Sequence, residues 1–174
     1  PSLSEYSPKA TVPIVVLEDG TVIDESLDVM LWALGENDPD GWLTPQKGSL
    51  DEMKDLITQN DSDFKGHLDR YKYPDRYENV DPLHHRKEAE RFLEDLDRRV
   101  ASQGQLFGST PSLADMAIGP FIRQFANTSR EWFDASPYAA LKGWLEKFLA
   151  SPLFESVMGK YPQWHEGDEP TFIP

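Results

Sequence analysis

One short run constrains how this chain can begin to fold. Pro13-Ile14-Val15-Val16-Leu17 is a continuous apolar and β-branched stretch, and Glu18-Asp19-Gly20 follows as a tight turn with glycine where a positive φ is needed. Thr21-Val22-Ile23 returns as a second strand. Residues 26–34 then place Leu27, Met30, Leu31 and Leu34 on one helical face, with Gly35 expected as the C-cap. The first fifth of the chain thus reads as strand, turn, strand, helix, preceded by a polar, turn-like segment over residues 1–8. Residues 36–48 are dense in Pro, Gly and Asp and read as a linker.

Beyond that linker the apolar spacing changes to a period of 3.6 and stays there. Helices are expected over residues 49 to about 68, 82 to about 102, 111–126 and 137–150. The second carries Leu83, Ala89, Phe92, Leu93, Leu96 and Val100 as one stripe. Ser151-Pro152 starts a short fifth helix ending near Tyr161, because proline suits the first helical position. The acidic tail from Pro162 is expected to pack irregularly through Trp164 and Phe172. The fold class expected is α+β, mostly α: a small α/β part over residues 1–35, a linker over 36–48, and an all-helical bundle over 49–174.

Composition excludes several functions. The 174 residues carry a net charge of −14, which repels phosphate backbones, so no nucleic-acid partner is expected. No apolar run approaches the roughly 20 residues that span a bilayer, so no membrane partner is expected either. Cysteine is absent, which removes disulfides and any thiol nucleophile from these residues and points to a reducing, cytoplasmic setting. His84 and His85 are adjacent, project about 100° apart on a helix and cannot share a metal. With His67 and His165 they read as surface residues. No zinc spacing, calcium loop or glycine-rich phosphate loop is present, so no metal is expected.

Two corners of the small α/β part carry chemistry. Val12-Pro13 opens a strand, a place where a cis peptide bond is plausible. A turn there would leave the N–H and C=O of Val12 facing outward, free to pair with an extended peptide. Glu25-Ser26 begins the next helix, where unpaired N–H groups and the dipole favour a carboxylate. The Ser26 hydroxyl adds a donor, and Glu25 can take an ammonium. Together these corners suit the amino-acid end of a small zwitterionic peptide. A third signature, Ser112-Leu113-Ala114-Asp115, is a capping box whose role is structural. It opens an almost wholly apolar helix in which Gly119-Pro120 would introduce a kink.

These motifs resemble the glutathione transferases, from about residue 7 to residue 161. Strand, turn, strand and helix resemble the second half of their thioredoxin-like domain, and the Ser-x-x-Asp box resembles the opening of a buried helix in their helical domain. The resemblance implies that Val12, with Pro13, pairs with the cysteinyl backbone of glutathione, and that Glu25 and Ser26 hold the γ-glutamyl end. Lys9 falls where a basic residue would reach the glycine carboxylate, although Thr11 departs from the Gln or Gly often found before the Val-Pro pair. It also implies a homodimer, glutathione as co-substrate and a small electrophile as its acceptor. The polar-aromatic cluster around Asn60, Phe64 and Lys65 would line the second-substrate pocket. The resembled domain starts with a strand–helix–strand unit of some 30 residues bearing a catalytic Tyr, Ser or Cys. Only twelve residues precede Pro13 here, so that residue is expected upstream, and Tyr6, Ser2 and Ser4 do not replace it. Alternatives within the same fold are a cysteine-type thiol-transferase, removing glutathione from mixed disulfides, and a non-catalytic interaction protein.

Overall fold

The computed structural model describes residues 3–9, 11–163, 165, 167 and 168–172. They divide into two compact units, Pro1–Asn37 with Pro152–Pro174, and Asp38–Ser151.

The smaller unit contains α1 (Leu3–Tyr6), β1 (Val15–Val16), β2 (Val22–Ile23) and α2 (Ser26–Glu36), with a short helix at Pro152–Val157. β1 and β2 pair antiparallel, Val15 with Ile23 and Val16 with Val22. Gly20 takes φ +87°, the Leu17 and Gly20 amides close the turn, and Asp19 Oδ1 accepts from the Thr21 amide at 2.9 Å. That local carboxylate-to-backbone bond is why Asp suits this position. The ladder is shorter than the apolar run, since Pro13 has no N–H to contribute. α2 continues through Gly35, so that glycine is a helix residue; Asn37 closes the helix instead, its N–H donating to the Ala33 carbonyl. Leu27, Met30, Leu31 and Leu34 are half-buried, and Phe172 is 86% exposed rather than packed. Trp164 lies outside the described residues.

The larger unit is helical: α3 (Leu50–Gln59), a π-helical turn (Asn60–Phe64), α4 (Lys65–Lys72), a 3₁₀ turn (Pro74–Arg76), α5 (Pro82–Gln103), α6 (Leu113–Thr128), α7 (Arg130–Ala135) and α8 (Ala139–Leu149). The helix expected to end near residue 68 therefore runs to Lys72, with one widened turn in its middle. Ser49 Oγ caps α3 by accepting from the Glu52 amide, and Asp81 caps α5 just ahead of Pro82. The α5 stripe buries Ala89, Phe92, Leu93, Leu96 and Val100, while Leu83, in its first turn, is exposed.

Phe64, Phe92 and Phe125 form the centre of the core, with Phe64 5.0 Å from Phe92 and 5.6 Å from Phe125 between ring centroids. Full burial of such side chains contributes about 1.5–3 kcal/mol each. Pro120 sits inside α6, and Gly119 beside it admits the Phe148 ring of α8: a Cβ at Gly119 would lie 2.8 Å from ring carbons. The Gly-Pro pair is thus a docking notch between two helices. α7 was not expected from the sequence; six residues are too few to show a period.

Candidate functional site

In the smaller unit the two corners are tied together. The buried Ser7 hydroxyl donates to Asp24 Oδ2 at 2.6 Å and accepts from the Lys9 amide at 3.3 Å. The Lys9 ammonium pairs with the Glu25 carboxylate across 16 residues of sequence. Glu25 raises the Lys9 ammonium above its ordinary value, so Lys9 stays charged through neutral pH. The segment leading to Val12 is thereby held against the corner that starts α2.

The Val12–Pro13 peptide bond is cis, and Val12 is 77% exposed. Among the described residues no hydrogen bond engages the Val12 main chain or the Ser26 hydroxyl. Glu25 is the N-cap residue of α2 in extended conformation, and its side chain makes no capping bond. The amides of the first α2 turn, with no partner inside the helix, therefore face outward from its start. The site offers open main-chain polar atoms at Val12, a hydroxyl and amides at Ser26, and an exposed ion pair at Lys9–Glu25. That pair is a feature sequence reasoning missed: the two residues intended for opposite ends of a ligand neutralise each other.

In the larger unit the predicted pocket residues occupy different environments. Asn60 is wholly buried in the π-helical turn, with Nδ2 donating to Asp61 Oδ1 at 2.9 Å and Oδ1 without a partner. Phe64 belongs to the aromatic core. Lys65 is exposed and paired with Asp69 at 2.6 Å. Phe64 also forms the base of a hollow of about 300 Å³ between the α3–α4 segment and α5, rimmed by Asp63, His67, Glu88 and Arg91.

The Ser112–Asp115 box does more than cap α6. Asp115 is buried, and Oδ2 accepts from the Ser112 amide at 2.9 Å and the Ser112 hydroxyl at 2.7 Å. Its Oδ1 accepts from the Leu106 amide and from Trp144 Nε1, both at 3.0 Å. One carboxylate thereby joins the loop before α6, the α6 N-terminus and α8. Burial pushes its carboxyl up from the ordinary value, against four donors that pull it down. Trp132 faces the Arg86 guanidinium, whose carbon lies 4.4 Å from the ring centroid, and Phe133 is buried; both support the core.

Sequence reasoning also missed the approach of His67 to His85 and the bond from Tyr138 to Glu90 at 2.9 Å. Neither has a sequence signature, since each joins residues far apart in the sequence, 18 positions for the first and 48 for the second. No group of three or more His, Cys, Asp or Glu among the described residues is placed to hold a metal ion. None of the described helices is long and apolar enough to cross a membrane.

The family model described as "Glutathione S-transferase, C-terminal domain" matches residues 49–147, more than half of the chain. No curated protein matches. Solved structures share the fold at low identity. The glutathione transferase URE2P6 from Phanerochaete chrysosporium, in complex with oxidized glutathione, superposes with a TM-score of 0.76 at 16% identity, covering 90% of this chain and 76% of its own. A glutathione transferase family member from Pseudomonas fluorescens, with two glutathione bound, gives 0.74 at 19% identity, covering 89% and 73%. A glutathione S-transferase from Rhodospirillum rubrum gives 0.73 at 18%, covering 92% and 76%. On the family match across the helical unit, this chain belongs to the glutathione S-transferase family.

Proposed function

We propose that this protein is a glutathione transferase that binds glutathione and joins its thiolate to a small electrophile. The observation that carries the reading is the corner geometry: Ser7–Asp24 and Lys9–Glu25 tie the segment leading to the exposed Val12, whose main chain no hydrogen bond engages among the described residues, to the start of α2. In this reading the Val12 N–H and C=O pair with the peptide backbone of glutathione in the manner of an added strand. The Ser26 hydroxyl and the first amides of α2 hold the γ-glutamyl carboxylate, and Glu25 takes its ammonium. Lys9 turns from Glu25 to the glycine carboxylate. Ligand binding thus exchanges one internal ion pair for two external ones, each of the same sign pattern. Solved structures of the same fold that carry glutathione support this choice of ligand. In this proposal the larger unit supplies the surface for the electrophile, with Lys65 exposed on it and Phe64 lining the hollow beside α5, while the wholly buried Asn60 shapes that surface only from behind. The protein acts as a cytoplasmic homodimer in this proposal.

Isothermal titration of glutathione into the full chain and two variants tests the peptide site. Glu25→Ala and Ser26→Ala each remove a charge-assisted contact and should weaken binding by about 1–3 kcal/mol. Unchanged affinity in both variants would remove the basis of the assignment.

A further inference from the structure

His67, in the first turn of α4, and His85, in the first turn of α5, place their Nδ1 atoms 2.8 Å apart, with ring centroids separated by 5.1 Å. Two imidazole nitrogens at that distance require a hydrogen between them, one Nδ1 donating and the other accepting. The bond exists only while the accepting ring is neutral. One added proton leaves the bond in place, the imidazolium ring donating to the neutral one; a second sets two N–H groups head to head and puts two positive charges across a short gap.

The surroundings disfavour that second charge. Both rings are half-buried, and burial is the largest cause holding His85 below the ordinary histidine value. His67 and Arg70 from α4 and His84 from α5 add positive charge around it; the His84 ring centroid lies 5.3 Å away. Asp81, at the start of α5, acts in the opposite sense, and its Oδ1 already accepts from the Leu83 amide. On the side of His67 the hollow presents Asp63, Glu88 and Arg91, of which Glu88 and Arg91 pair with each other at 2.7 Å.

We propose that His67 and His85 form a proton-sensitive clasp, which fastens α4 to α5 at neutral pH and releases it in mild acid. The sign follows from linkage. The folded state resists the second proton and the unfolded chain does not, so the clasp contributes above the ordinary histidine value of about 6.5 and is lost as pH falls through the folded value. Release frees the edge of the core where α4 presents Leu68 and Tyr71, the latter 5.3 Å from Phe125 between ring centroids. This inference is independent of the peptide site, whose residues all lie in the other unit.

Two measurements on the full chain test it. Long-range imidazole nitrogen–proton spectra at neutral pH should show one of the two rings as the Nδ1–H tautomer and the other as Nε2–H; two Nε2–H tautomers would overturn the clasp. Amide protection factors in α4, referred to those in α6, should fall about tenfold between about pH 7.5 and about pH 5.5, the change expected when coupled sites interact by about one pK unit. His85→Gln keeps a hydrogen-bonding side chain that does not charge, and should flatten that response. An equal fall in His85→Gln, or no fall in the parent, contradicts the proposal; if that variant does not fold, the tautomer spectrum of the parent still decides.

Discussion

Asp115 shows how much one side chain can organise. Each carboxylate oxygen accepts two hydrogen bonds, from Ser112 on one side and from Leu106 and Trp144 on the other. Asp115→Ala leaves four buried donors without a partner. At about 1–3 kcal/mol for an unsatisfied group, partly relieved by relaxation, the total loss should be at least about 3 kcal/mol. Asp115→Asn keeps one acceptor oxygen for Leu106 and Trp144 but turns an NH₂ toward the Ser112 amide, so its loss should be smaller, about 1–3 kcal/mol. Urea denaturation followed by far-UV circular dichroism measures both. Equal stability of Asp115→Ala and the parent would refute the organising role. The spacing of Ser112 and Asp115 announced the cap, but Leu106 and Trp144 joined it only through the fold.

Elements were legible where one local cause dominated and obscure where two competed. Gly20 in Glu18-Asp19-Gly20 made the hairpin readable, because only that position required a positive φ. The α5 stripe was readable because five apolar residues at helical spacing all reach one core. The π-helical turn was not: Asn60–Phe64 inserts an extra residue without disturbing the composition, and the apolar pattern reads through it. Gly35 misled, since a glycine after an apolar run usually marks a helix end, yet here it is an ordinary helical residue. The same two glycines yield opposite predictions. Gly20→Ala forces an L side chain into φ +87° with no atom within 4 Å to clash, so backbone strain alone should cost about 1 kcal/mol. Gly35→Ala, also in open space but with helical φ, should stabilise by about 0.5–1 kcal/mol. Thermal melts of both variants decide; a destabilising Gly35→Ala would show that α2 does not extend through that residue in solution.

Charge acts on the whole molecule. A net charge of −14 is carried on 31 acidic against 17 basic side chains, and most ion pairs among the described residues lie three or four residues apart on helix faces. Such pairs contribute only about 0.3–0.5 kcal/mol each and are weakened by salt. Opposing them is the repulsion of the uncompensated carboxylates, which the compact state concentrates and the expanded chain relieves. The two effects respond to salt with opposite signs, so ionic strength separates them. At 0.01 M the Debye length is about 30 Å and every surface carboxylate repels the rest; at about 0.5 M the range shrinks to a few ångströms. Because the excess acid far outweighs what the local pairs lose, the urea midpoint should rise as sodium chloride is raised between those limits. A midpoint that falls with salt would mean that the exposed helix-face pairs, rather than the surplus of carboxylates, govern the electrostatic stability of this chain.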